Sequence, residues 1–285
     1  MRIALGIEYN GSAFNGWQVQ KHEPNTIQAV VERAVSAVAN ETVSVIISGR
    51  TDAGVHATGQ VAHFDTNAAR TAKNWVFGIN TQLPKSVVIK WAHVVPEEFH
   101  ARFSALSRRY RYVIYNNPVR SSIFHGQVSW FAHALDESKM HEAAQHLVGE
   151  HNFTSYRSVA CQNQEPVKRV DHLRVWRQQN FVVIDIQASG FLMHMVRNIA
   201  GVLIKVGLGE QPADWTKAVL DAEDRTQAAE TASPMGLYFV DVGYDSQFDL
   251  PKLNIGPLFI ADSPSSDFDL QKSRLMDQQI FGKND

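Results

Sequence analysis

A single cysteine, Cys161, stands in 285 residues, which rules out a disulfide framework and any zinc site built on two or more cysteines. No apolar run approaches the ~20 residues that cross a bilayer as a helix. Walker A, G-x-G-x-x-G and G-x-S-x-G patterns are all missing, and with them the usual signatures of nucleotide-binding and hydrolase sites. Neither sign of charge dominates: 27 Lys and Arg face 29 Asp and Glu, for a net charge of −2. The opening MRIALGIEYNGSAF reads as a strand and a turn, without the long apolar core of a secretory signal. What is present is ordinary: 44% apolar and 10% aromatic residues, enough for a large core and too apolar for a disordered chain. The expectation is a soluble, cytoplasmic protein.

Periodicity supplies the elements. Ile3, Leu5, Ile7 and Tyr9 alternate as in a half-buried strand, and Thr26 caps a helix that places Ile27, Val30, Val31, Ala34, Val35 and Val38 on one side. Strands are expected at 43–48, 60–65, 87–95, around Tyr110–Ile114, and at 171–177, 181–188 and 237–242. Helices are expected at 72–83, 137–147, 192–206, 213–222 and 224–230. The 192–206 helix has two stripes: Leu192, Met195, Val196, Ile199, Val202, Leu203 and Val206 are apolar, while His194, Arg197, Asn198, Gly201 and Lys205 form the other. Strands and helices intersperse without regular βαβ spacing, which favours an α+β fold. A division near 104–106 gives an N-terminal half, 1–105, and a C-terminal half, 106–262. Pro, Ser and Asp interrupt any pattern in 263–285, so a poorly packed tail is expected there.

Twelve histidines invite a metal reading, yet His141 and His146 are five apart on the expected helix, too far around it to share one ion. No metal site is expected. Positive charge gathers mid-chain: His100 to Arg120 contains Arg102, Arg108, Arg109, Arg111 and Arg120 and no acid. Such a patch on a neutral protein hints at an anionic partner or, equally, at a solvated surface. One motif is different in kind. Gly49-Arg50-Thr51-Asp52-Ala53-Gly54-Val55-His56 leaves an apolar strand as a short polar loop between two glycines, presenting Arg50 and Asp52 from a rigid base. By composition alone it is also a β-turn carrying a surface ion pair.

G-R-T-D-A-G-V-H resembles the active-site motif of the tRNA pseudouridine synthases of the TruA type. The similarity continues at IALGIEYNGSAFNGW (3–17), HARFSA (100–105), RRYRYVIYN (108–116), NFTSY (152–156), HMVRNIAG (194–201) and GLY (236–238), in the family's order over about residues 1–262. The resemblance implies isomerisation of uridine to pseudouridine at positions 38, 39 and 40 in the anticodon stem-loop of tRNA. It implies the pseudouridine synthase fold, two ferredoxin-like α+β halves flanking a central active-site cleft, and a homodimer with tRNA spanning both subunits. The reaction is redox-neutral, so no cofactor is implied.

By the same resemblance Asp52 is the catalytic carboxylate, whether it adds to C1′ or takes the C2′ proton. A carboxylate in a dry pocket needs a cation to stay ionised, and Arg197 is the family's candidate. Arg50 resembles the side chain that fills the space left by a flipped base. Tyr110 matches the tyrosine that lies against the uracil and can offer its phenolic oxygen near C5, and Leu237 looks like the apolar floor of the pocket. The arginines of 102–120 would meet tRNA phosphates. Two rivals remain: a non-catalytic tRNA-binding protein of the same fold, and a metal-assisted hydrolase using Asp52, which the lack of a second carboxylate in the loop disfavours.

Overall fold

The computed structural model describes residues 1–20, 24–161 and 165–261. The tail expected from 263 lies outside the described residues. The described residues form two compact units, one of residues 1–106 together with 239–261, the other of residues 107–238. No described helix is long and apolar enough to cross a membrane.

In the first unit β1 (Arg2–Tyr9) runs antiparallel between β3 (His56–Asp65) and β4 (Val87–Val95), with the short β2 (Ile46–Ile47) also paired to β3. Val43 and Val45 are buried without joining the ladder, so the expected 43–48 strand shrinks to two residues. Two helices, α1 (Ile27–Ala39) and α2 (Ala72–Gln82), pack on each other where Gly78 meets Val38. Thr26 caps α1 through its hydroxyl, as expected. Alternation had suggested a half-buried β1. Instead Ala4 is as buried as Ile3 and Leu5, because the strand is central and covered on both faces. Gly6 is required there: a Cβ would stand 2.1 Å from the Trp91 indole nitrogen.

In the second unit β5 (Ala105–Asn116), β9 (Phe181–Ala188), β8 (Val167–Gln178) and β7 (Gly149–Asn152) neighbour one another in that order, all antiparallel, and β6 (Ser129–Phe131) runs parallel to β5. The helices are α3 (Glu137–Gln145), α4 (Met195–Gly207) and α5 (Trp215–Asp221). Within α4 the second stripe is not a solvent face: Asn198 and Gly201 are buried, and a Cβ on Gly201 would lie 2.1 Å from the Glu230 carbonyl oxygen. The helix expected over 224–230 is absent. Only Arg225–Gln227 forms a single 3₁₀ turn, because Asp224 takes the Thr226 N–H and hydroxyl while Arg225 reaches Asn198 and Thr231. The last strand among the described residues, β10 (Leu237–Tyr244), begins in the second unit and ends in the first, where it lies beside β3.

Candidate active site

The loop carrying Arg50 and Asp52 connects β2 to β3 and is clamped by the first seventeen residues. Before it, the Ser48 N–H donates to the Val61 carbonyl at 2.9 Å and the Ser48 hydroxyl to Gln60 Oε1 at 2.6 Å. Gln60, fully buried, turns its amide to the Gly49 carbonyl at 2.8 Å. The Tyr9 hydroxyl and Thr51 Oγ1 share a buried hydrogen bond of 2.8 Å. Burial pushes the Tyr9 phenol up to about 12, so it stays protonated at neutral pH. The Trp17 N–H donates to the Thr51 carbonyl, the Gly54 N–H to that of Phe14, and the Val55 N–H closes the turn on the Asp52 carbonyl. Gly11 gives its N–H to His56 Nδ1, which fixes that nitrogen as an acceptor. Within this frame Asp52 is half-buried and Arg50 exposed.

Gly16 explains why the clamp fits so closely. Its φ is +87°, and a Cβ would stand 2.8 Å from the Thr51 carbonyl oxygen and 3.1 Å from the Ala53 nitrogen. Glycine alone meets both demands. Gly16 and Trp17 also offer their carbonyls to the Ile27 and Gln28 amides that open α1, so the helix start is tied to the loop.

In the second unit Tyr110 lies on β5 opposite Ile186, nearly buried, with the Phe191 ring edge-on at 5.0 Å and 85°. Tyr112, two residues on and on the same face, bonds Ser129 Oγ at 2.5 Å and donates to the Ser233 carbonyl at 2.9 Å. Burial pushes its phenol up to about 12, against the opposing pull of Ser129 and the Arg197 charge. Arg197 is half-buried on α4, its Nε donating to the Ala232 carbonyl at 2.8 Å, and the Ala232 N–H returns to the Arg197 carbonyl. Arg197 and Tyr112 thereby pin the 232–236 segment that delivers the buried Leu237 at the start of β10. Asn198 reinforces this from the next position. It donates to the Tyr156 carbonyl and accepts from Thr231 and Arg225.

The arginine cluster is not a uniform surface. Asp185, buried on β9, accepts Arg109 through both carboxylate oxygens at 2.7 and 2.8 Å, Arg111 at 2.7 Å and His172 at 2.7 Å. Burial alone would raise its carboxyl, but the His172 and Arg109 hydrogen bonds and the charges of Arg109 and Arg111 outweigh that and hold it well below the usual aspartate range. Arg111 is fully buried, and Arg108 donates to the Ser189 carbonyl. The expectation that the arginines of 102–120 meet RNA phosphates is corrected for Arg111, whose counter-ion is the protein's own. Asp185, 65 residues or more along the chain from these arginines, was invisible to a count within 100–120.

The family model described as tRNA pseudouridine synthase matches residues 6–104 and 143–245, more than half of the chain and inclusive of the Asp52 loop, Arg197 and Leu237. The chain belongs to the tRNA pseudouridine synthase family. Among its relatives is the tRNA pseudouridine synthase A of Shewanella amazonensis, 55% identical over 262 residues that cover 92% of this chain and all of the relative. Proteins of the same name from Vibrio vulnificus and Histophilus somni are 54% and 52% identical over 263 and 268 residues, covering 92% and 94% of this chain and 99% of each relative. This tRNA pseudouridine synthase fold is α+β in both units, as expected. Tyr110 falls between the two matched stretches, so it stands on its place in β5 and on the RRYRYVIYN resemblance.

Of the five candidate residues, Arg50 and Asp52 share the clamped loop of the first unit, while Tyr110, Arg197 and Leu237 belong to the second. Sequence reasoning assigned no role to Tyr9, Gln60 or Asp185. For Tyr9 and Gly16 a signal existed, since both lie in the 3–17 segment that carried the resemblance. Gln60 and Asp185 left none, for nothing in a strand pattern marks which polar residue folds inward.

Proposed function

We propose that this protein isomerises uridine to pseudouridine at positions 38, 39 and 40 of the tRNA anticodon stem-loop, with Asp52 as the catalytic carboxylate. The observation that carries this reading is the Gly49–His56 loop, held by hydrogen bonds from Tyr9, Trp17 and Gln60, in a chain matching pseudouridine synthases along nearly their whole length. A loop fixed so tightly around a half-buried aspartate is pre-organised for chemistry at one atom.

The target uridine leaves the stack, at a cost of a few kcal/mol, and Arg50 fills the vacated space. Asp52 takes the C2′ proton as the N1–C1′ bond breaks, leaving a glycal and a uracil anion. The base turns, C5 bonds to C1′, and Asp52 returns its proton to C2′. The C5 proton is then lost as N1 takes one up, which restores aromaticity, and the Tyr110 hydroxyl relays it, passing its own proton on towards N1 as it receives the one from C5. Arg197 supplies the positive charge that keeps Asp52 ionised, and Leu237 floors the pocket beneath the ring. Atoms and electrons balance without an external reactant. The working species is a homodimer, with one tRNA spanning both subunits.

Release of tritium from tRNA labelled at uridine C5 tests this directly. Label should enter water without strand cleavage and in proportion to pseudouridine at positions 38, 39 and 40. Binding without release would leave a tRNA-binding protein, and release confined to other positions would refute the assigned substrate sites.

A further inference from the structure

The turn between β4 and β5 carries an aromatic ring that the chemistry above does not use. Phe103 keeps 77% of its surface exposed, although large apolar side chains normally turn inward. Its surroundings are polar: Arg102 is exposed, with its guanidinium carbon 5.5 Å from the ring centroid, and the His100 ring lies 4.4 Å away at a tilt of 31°. The turn is rigid. His100 Nδ1 accepts the N–H groups of both Arg102 and Phe103, the Ser104 N–H returns to the His100 carbonyl, and Ser104 Oγ accepts the His100 N–H. One residue further in, the Ala101 N–H is held by His63 Nδ1 and its carbonyl by the Tyr244 hydroxyl. Burial and the charges of Arg2 and Arg102 hold His100 below its ordinary range, which keeps Nδ1 available as the acceptor.

We propose that Phe103, with Arg102 beside it, is a stacking platform for an unpaired base of the tRNA substrate. An exposed aromatic beside an arginine is the pairing by which single-stranded RNA is held without sequence readout. Fixing the ring in advance removes the ordering cost that a flexible anchor would carry. A subunit interface fits the site less well, since it needs about 800 Å² per partner and an apolar centre, whereas this ring is flanked by Arg102 and His100. The proposal rests on the tRNA reading above and adds a contact outside the reacting centre.

The experiment measures tRNA affinity at fixed salt for Phe103→Ala, Phe103→Leu, Phe103→Tyr and Phe103→Trp, with sedimentation mass and tritium release on each protein. Phe103→Ala should raise Kd about 5- to 150-fold, the loss of one base stack, and the cost in turnover should fall on KM. Phe103→Leu should fail like Ala, whereas Tyr and Trp should bind like wild type. An unchanged Kd for Phe103→Ala overturns the platform, and so does restored binding in the Leu variant, which would mean apolar contact without stacking. A halved mass in the Ala variant likewise overturns it in favour of a subunit contact. Wild-type protein that binds tRNA but releases no tritium would refute the isomerase reading, while the platform is still judged on Kd.

Discussion

Gly16→Ala is a one-carbon perturbation whose effect can be worked from the structure. Two costs arise. At φ +87° an alanine sits in the left-handed region, a penalty of about 1–2 kcal/mol. The new Cβ would also stand 2.8 Å from the Thr51 carbonyl oxygen, about 0.6 Å inside ordinary contact at 3.4 Å, so one chain or the other must move by that amount. Thr51 is held by Tyr9 on its side chain and by Trp17 on its carbonyl, and Asp52 follows it directly. Displacement is therefore passed to the carboxylate. A misplacement of about 1 Å costs about 100-fold in rate, so a shift of roughly half that should cost about tenfold in kcat. The melting temperature should fall by roughly 3–8 °C for a protein of this size. Tritium release under saturating tRNA, with calorimetry on the same preparation, measures both. A variant that melts lower yet turns over within a factor of two of wild type would refute the argument that Gly16 sets the position of Asp52.

Three further outcomes are expected. Asp52→Asn keeps the shape of the side chain and removes its charge, so tritium release should vanish while tRNA binding and melting temperature stay near wild type; turnover above about one per cent would remove Asp52 from the chemistry. Tyr110→Phe retains the ring and its edge contact with Phe191, so affinity should persist while turnover falls at least about a hundredfold, and wild-type rates would reduce Tyr110 to a stacking surface. Asp185→Asn leaves Arg109 and Arg111 without their counter-ion and should destabilise the fold by about 3–5 kcal/mol in urea titration at pH 7. Because the fold depresses the Asp185 carboxyl, its contribution is complete above the unfolded value of about 4 and is lost as pH falls through the folded value, so the gap between variant and wild type should narrow toward pH 2, and a constant gap would refute the linkage.

How much of this was legible depends on whether a residue's role is local. Thr26 announces α1 because a hydroxyl before an apolar period caps a helix wherever that sequence occurs. The glycine-bracketed loop is legible for the same reason, and α2, β4 and β9 lie where their periods put them. Residues 224–230 misled because Thr226 bonds locally to Asp224 while Arg225 and Thr231 bond to the distant Asn198, and together these bonds outweigh helix propensity. Asn198 read as part of the stripe opposite the apolar one, since its three partners come from other segments. Arg111 read as surface charge since Asp185 is 74 residues away in the chain and directly opposite in the ladder. A polar side chain that faces inward is a property of its partners, and those cannot be read from a period.

The crossing of β10 from one unit to the other has a consequence for synthesis. Residues 107–238 are contiguous and can condense as soon as they clear the ribosome, whereas the first unit needs the part of β10 from Phe239 on. Gly59 on β3 lies against Val240 on β10, so that neighbouring pair is separated by about 180 residues. At about 5–20 residues per second β3 waits roughly 9 to 36 seconds for its partner. During that interval much of one side of β3 has only the two-residue β2 against it. An unpaired edge of that kind invites other strands, so the nascent first unit is where chaperone attention and aggregation should concentrate.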